Sequence, residues 1–118
     1  MRILLVDDDP SVRDILAEML ETDGHSVVQA GNGPEGLARL EEDDRFDLVL
    51  TDVGMPRMNG WALAREVKAR HPSMRVGLIT GYGETGPADP GERSVADFIL
   101  TKPISDESLR AIGEADAR

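Results

Sequence analysis

The sequence predicts an α/β fold built on a doubly wound, five-stranded parallel sheet. Three observations carry this. Short apolar runs alternate with segments of helical periodicity five times along the chain. The runs are near-continuously apolar, as strands covered on both faces are. The length of 118 residues with 40% hydrophobic content suits one domain around one core, so residues 1–118 are read as a single unit.

Residues 2–6 (Arg-Ile-Leu-Leu-Val) form the first strand. Asp9 then precedes Pro10, a good N-cap followed by a good first helical residue. Val12, Ile15, Leu16, Met19 and Leu20 follow at helical spacing, and Asp23-Gly24 ends the helix. Residues 25–30 are a second, weaker strand. Gly31-Asn32-Gly33 is a turn, and Pro34 opens a helix carrying Leu37 and Leu40. Residues 47–51 are the third strand. Asn59-Gly60 precedes a helix with Leu63, Ala64 and Val67 inward, ending before Pro72. Residues 75–79 and 97–100 are strands four and five. Ser105 caps a last helix, with Asp106 and Glu107 in its positive first turn and Leu109 and Ile112 inward. One stretch breaks the rhythm: five of residues 83–92 are Gly or Pro, so the fourth helix is expected to be short, displaced or irregular.

Composition excludes several functions. The formal net charge of −10 argues against a bulk electrostatic grip on nucleic acid or anionic lipid, and 3% aromatics disfavour a base-stacking surface. The absence of cysteine rules out disulfides, thiolate metal sites and a cysteine nucleophile, and fits a cytoplasmic protein. Nothing approaches the roughly 18 apolar residues of a membrane span. The run Ile3–Val6 stops at Asp7, too short for a signal-peptide core.

In open parallel sheets the site lies beyond the carboxyl ends of the strands. Those ends carry Asp7-Asp8, Asp52, Thr80 and Lys102. Clustered carboxylates repel and need compensation. A hard divalent cation such as magnesium supplies it, and a lysine with a hydroxyl beside the acids suits a phosphoryl group. With no serine or cysteine at the strand ends, a carboxylate is the candidate nucleophile. Asp9, by contrast, is accounted for by its capping role. His25 and His71 read as structural, the latter suiting a helix C-terminus, and Trp61 reads as a packing or partner contact.

These residues resemble a known family. Asp7-Asp8 after Ile-Leu-Leu-Val, Asp52 within Asp-Val-Gly-Met-Pro-Arg-Met-Asn-Gly, Thr80-Gly81 and Lys102-Pro103 look like the receiver domain of two-component response regulators. The resemblance spans essentially the whole chain. It implies a flavodoxin-like sheet in the order 2-1-3-4-5 and a magnesium-dependent phospho-acceptor switch, not an enzyme with an external substrate. It implies that Asp52 takes the phosphoryl group from a histidine kinase or histidine phosphotransfer protein. Asp8, Asp52 and the Gly54 carbonyl would hold Mg2+, with Asp7 acting largely through water. Thr80 and Lys102 would hold phosphoryl oxygens. It further implies a cis bond before Pro103, and a partner kinase docking near Val12, Ile15 and Pro103. No output domain is expected within this chain, which is read as a stand-alone regulator, a phosphorelay shuttle or a fragment of a larger regulator or hybrid kinase, with output to an unknown downstream protein by contact.

The chain departs from the family at the strand-five aromatic. Three residues before Lys102 stands Ile99, with Phe98 one earlier; neighbouring strand residues face opposite sides, so the usual threonine–aromatic coupling is not expected in its ordinary form. Gly54 and Tyr82 are expected to tune the lifetime of the phosphoryl group. Two other readings stand beside this one. An aspartyl-phosphate phosphohydrolase normally needs a second acid two residues after the nucleophile, where this chain has Gly54. A receiver-like module that binds without being phosphorylated is the other.

Overall fold

The computed structural model describes residues 1–43, 45–81, 96–102, 104–105, 107–110 and 112. Strands β1 (Arg2–Val6), β2 (Ser26–Ala30), β3 (Leu48–Asp52), β4 (Arg75–Thr80) and β5 (Phe98–Thr101) form one parallel sheet in the order β2-β1-β3-β4-β5. Helices α1 (Pro10–Thr22), α2 (Gly33–Glu42) and α3 (Gly60–Arg70) connect the first four strands, and residues 107–110 and 112 are helical. The expected fourth helix, Tyr82, Pro103 and Asp106 lie outside the described residues.

Strand alternation sorts the core into two layers. Leu4, Val6, Val49, Val76 and Leu78 pack with Leu37 and Leu40 of α2 and with Trp61, Leu63, Ala64 and Val67 of α3. Ile3, Leu5, Leu48, Leu50 and Ile79 pack on the other face with Leu16, Ala17 and Leu20 of α1 and with Leu109 and Ile112. Both faces are therefore covered, which is why the strand cores read as unbroken apolar runs. Ile15 leaves this scheme: it is 59% exposed although it falls on the apolar stripe.

The helix starts follow their caps. Asp9 accepts the Ser11 and Val12 amides, Asn59 accepts the Ala62 amide, and Ser105 accepts the Ser108 amide. Helix α2 begins one residue before Pro34 because Asn32 is the cap, accepting the Glu35 amide at 2.8 Å. Strand bounds shift by one residue for similar local reasons. His25 stays out of β2 because its amide is held by the Leu20 carbonyl at the end of α1. Asp97 stays out of β5 because its carboxylate turns back to the start of β4.

That carboxylate accepts the Val76 amide at 2.7 Å and the Lys68 ammonium at 2.9 Å, while Lys68 also donates to the Met74 carbonyl. Burial alone would raise the Asp97 carboxyl, but Lys68 and the Val76 amide outweigh it and hold it below its ordinary 3.8. A folded-state value below the unfolded one adds stability that is present above pH 3.8 and lost as pH falls toward the folded value. Asp97→Asn should therefore cost about 1 kcal/mol at pH 7, less than the roughly 1.5–3 kcal/mol of a buried charged hydrogen bond because the group is partly solvated. Urea denaturation should show that cost shrinking as pH drops below 3.8.

Phe98 lies across Gly77, its register partner in β4, and its ring occupies the space a Cβ at Gly77 would need. With Leu100 it packs against the α1 layer. Gly77→Ala should overpack this contact and destabilise the fold by about 1–3 kcal/mol in the same denaturation assay.

Candidate functional site

The parallel register places the polar strand ends on one edge. Val6 pairs with Thr51, Asp52 with Ile79, and Thr80 with Thr101. Asp7 follows β1 directly, Asp52 ends β3, Thr80 ends β4, and Lys102 follows β5. Carboxylate oxygens of Asp7, Asp8 and Asp52 all lie within 4.8 Å of one another. Lys102 Nζ stands 2.9 Å from Asp52 Oδ1. These distances join Asp7, Asp8, Asp52 and Lys102, while Thr80 shares their edge through the strand register.

Asp7 and Asp52 are buried, at 2% and 4% exposure, whereas Asp8 is exposed. Burial pushes the Asp7 carboxyl up. The Asp9 amide, donating to Oδ1 at 2.9 Å, opposes this; the Asp52 charge adds to it, Lys102 offsets it, and Asp8 raises it further. Asp7 Oδ2 is buried without a hydrogen-bond partner among the described residues. An orphaned buried carboxylate oxygen beside two further carboxylates is the donor set of a hard divalent cation, so these residues fit Mg2+.

The loop after Asp52 is shaped by backbone contacts. Val53 donates to the Ile79 carbonyl, and Gly60 and Met55 both donate to the Val53 carbonyl. Gly60 starts α3 so close to β3 that a Cβ there would lie 2.5 Å from the Asp52 carbonyl oxygen, so only glycine fits. Gly54 is exposed in this loop, two residues beyond Asp52. Thr80 Oγ1 is 3.5 Å from the Leu100 carbonyl, and the Thr80 carbonyl accepts the Lys102 amide at 2.8 Å. The threonine and lysine are thereby joined through the backbone. Ile99 is 38% exposed, on the face of β5 opposite Phe98 and Leu100.

The residues read as structural behave so. His25 Nδ1 lies 3.0 Å from the Met1 ammonium, His71 is the C-cap of α3, and Trp61 is 4% exposed within the core. Sequence reasoning missed Arg13, whose NH1 donates to the Asp7 carbonyl at 2.8 Å and whose Nε donates to Gln29 Oε1 at 2.9 Å. Its helical position gave no sign of that reach beyond the general backward tilt of helix side chains.

The response regulator receiver domain model matches residues 3–114, and the chain belongs to that family. PilH of Pseudomonas aeruginosa is 37% identical over 92% of this chain and 90% of its own length. GlrR of Escherichia coli, a transcriptional regulatory protein, is 37% identical over 96% of the chain, but the chain spans only 26% of its length. A receiver domain structure from Clostridium thermocellum has a TM-score of 0.89 at 33% identity, covering 99% of this chain and 94% of that one. TrrA of Thermotoga maritima, solved with Mg2+ and BeF, has a TM-score of 0.86 at 28% identity, covering 98% and 97%. The chain is accordingly a phospho-acceptor receiver domain with the sheet order expected. Among the described residues, no helix is long and apolar enough to cross a membrane.

The crowded acids carry a stability cost in the cation-free protein. Asp7→Asn should relieve it at neutral pH, raising the Tm in chelator by roughly 4 °C, the shift that ~1 kcal/mol produces in a domain of this size. Thermal melts of wild type and variant, with and without Mg2+, check this; the advantage of the variant should disappear when Mg2+ is added.

Proposed function

We propose that Asp52 is the phosphorylated residue of a two-component or phosphorelay switch, acting in the cytoplasm, with residues 1–118 as its receiver unit. The observation that carries this is the Lys102–Asp52 contact of 2.9 Å inside a cluster of three carboxylates. A carboxylate oxygen of Asp52 attacks the phosphorus of a phosphohistidine on a histidine kinase or phosphotransfer protein. The P–N bond breaks, and an acyl phosphate forms on Asp52. Asp8, Asp52 and the Gly54 carbonyl would hold Mg2+, with Asp7 acting through water; bound there, the ion would offset charge on the transferring phosphoryl group. Lys102 exchanges its Asp52 contact for a phosphoryl oxygen, and the Thr80 hydroxyl donates to another. Catalysis is then positioning and electrostatics by the chain's own groups.

This chain offers such a partner an apolar docking surface. Val12, Ile15, Leu16, Met19, Gly81, Lys102 and Ile104 line an apolar groove of about 490 Å3 beside the site. Exposed Ile15 is accounted for if a partner helix covers it. Output passes by protein contact. Position 99 carries Ile, so output does not use an inward-turning aromatic there.

Incubation with acetyl phosphate and Mg2+, followed by intact mass, should show one phosphoryl adduct on wild type and none on Asp52→Asn. Lys102→Ala should slow adduct formation by at least about 10²-fold, as loss of a transition-state charge partner does. An adduct that persists in Asp52→Asn would refute the assignment.

A further inference from the structure

We propose that Arg13, oriented by Gln29, is a positioning residue that sets the divalent-cation affinity of the acidic site; this rests on the cation reading of Asp7, Asp8 and Asp52. The Asp7–Asp9 turn is anchored firmly at Asp9, which caps α1, and less firmly at Asp7 and Asp8. The Asp7 amide is tied to the Ala30 carbonyl of β2 at 3.2 Å, and the Asp9 amide to Asp7 Oδ1. Asp7 Oδ2 has no hydrogen-bond partner among the described residues, and Asp8 is exposed. A turn carrying two acids this close to Asp52 is pushed outward by like-charge repulsion.

Arg13 opposes that push. It sits in the first turns of α1, and its side chain runs back toward the helix start. NH1 holds the Asp7 carbonyl and Nε holds Gln29 in β2, so one planar guanidinium bridges the acidic turn, the helix and the neighbouring strand. The fork makes two bonds in fixed directions, which a lysine cannot reproduce. Arg13 is half-buried and touches the Asp7 main chain, leaving Asp7 Oδ2 open toward the ion.

Two effects of opposite sign act through this residue. Its charge repels an incoming cation, while its hydrogen bonds hold the ligands in place. Substitutions that keep the charge isolate the second effect. Arg13→Lys retains the charge and loses the fork. Gln29→Leu retains Arg13 and loses its orienting acceptor.

Titration calorimetry with MgCl2 on the intact protein is the test. Arg13→Lys should weaken Mg2+ binding about 10-fold, the low end for residues that orient metal ligands, and Gln29→Leu about 3-fold. The double variant should be no weaker than Arg13→Lys alone. The losses should persist at 0.5 M KCl, where long-range charge effects are screened. Hydrogen exchange of the Asp9 amide in chelator should be faster in both variants, while Tm changes by less than about 4 °C. Should Arg13→Lys fail to fold, Gln29→Leu decides alone. Wild type that binds Mg2+ with both variants matching it would overturn this inference and leave the cation reading intact. Wild type that binds no Mg2+ would overturn both.

Discussion

The structure depends on like charges held together. Three carboxylates meet at one edge of the sheet because adjacent parallel strands β1 and β3 both end there. The backbone register enforces this; the side chains themselves oppose it. Neighbouring choices are compensations. Lys102 comes from the far side of the sheet to meet Asp52, the Asp9 amide satisfies one oxygen of Asp7, and Arg13 grips the Asp7 carbonyl. The two apolar layers supply the burial against which this repulsion is carried.

Repulsion of this kind makes the site responsive. A fully neutralised cluster would gain little from a cation or a phosphoryl group, since differential interaction is what moves an equilibrium. Here the acids exceed the lysine, so binding relieves a cost already present. The groove beside α1 includes Gly81 and Lys102 among its walls. Asp52 and the groove are therefore linked through one side chain, Lys102.

Much of this was legible in the sequence. Unbroken apolar runs at residues 2–6, 47–51 and 75–79 announced covered strands, and the residues after them announced the site. Caps at Asp9 and Ser105 were readable because a cap is a local event, decided within three residues. What could not be read depends on partners distant in sequence. Asp97 caps no element of its own; it reaches 21 residues back to Val76 and 29 to Lys68. The fit of Phe98 over Gly77 requires knowing the β4–β5 register. Ile15 follows the apolar period yet is 59% exposed, because periodicity alone does not fix how far the sheet covers each position of the stripe.

The sheet order has a consequence for assembly during synthesis. With β1 between β2 and β3, residues 2–52 already contain three neighbouring strands and the helices α1 and α2. Such a unit can collapse while later residues are still being made. It brings Asp7, Asp8 and Asp52 together before Lys102 has been added to the chain. A sheet of residues 2–52 alone would therefore hold the three carboxylates without the Lys102 charge that offsets them in the complete domain.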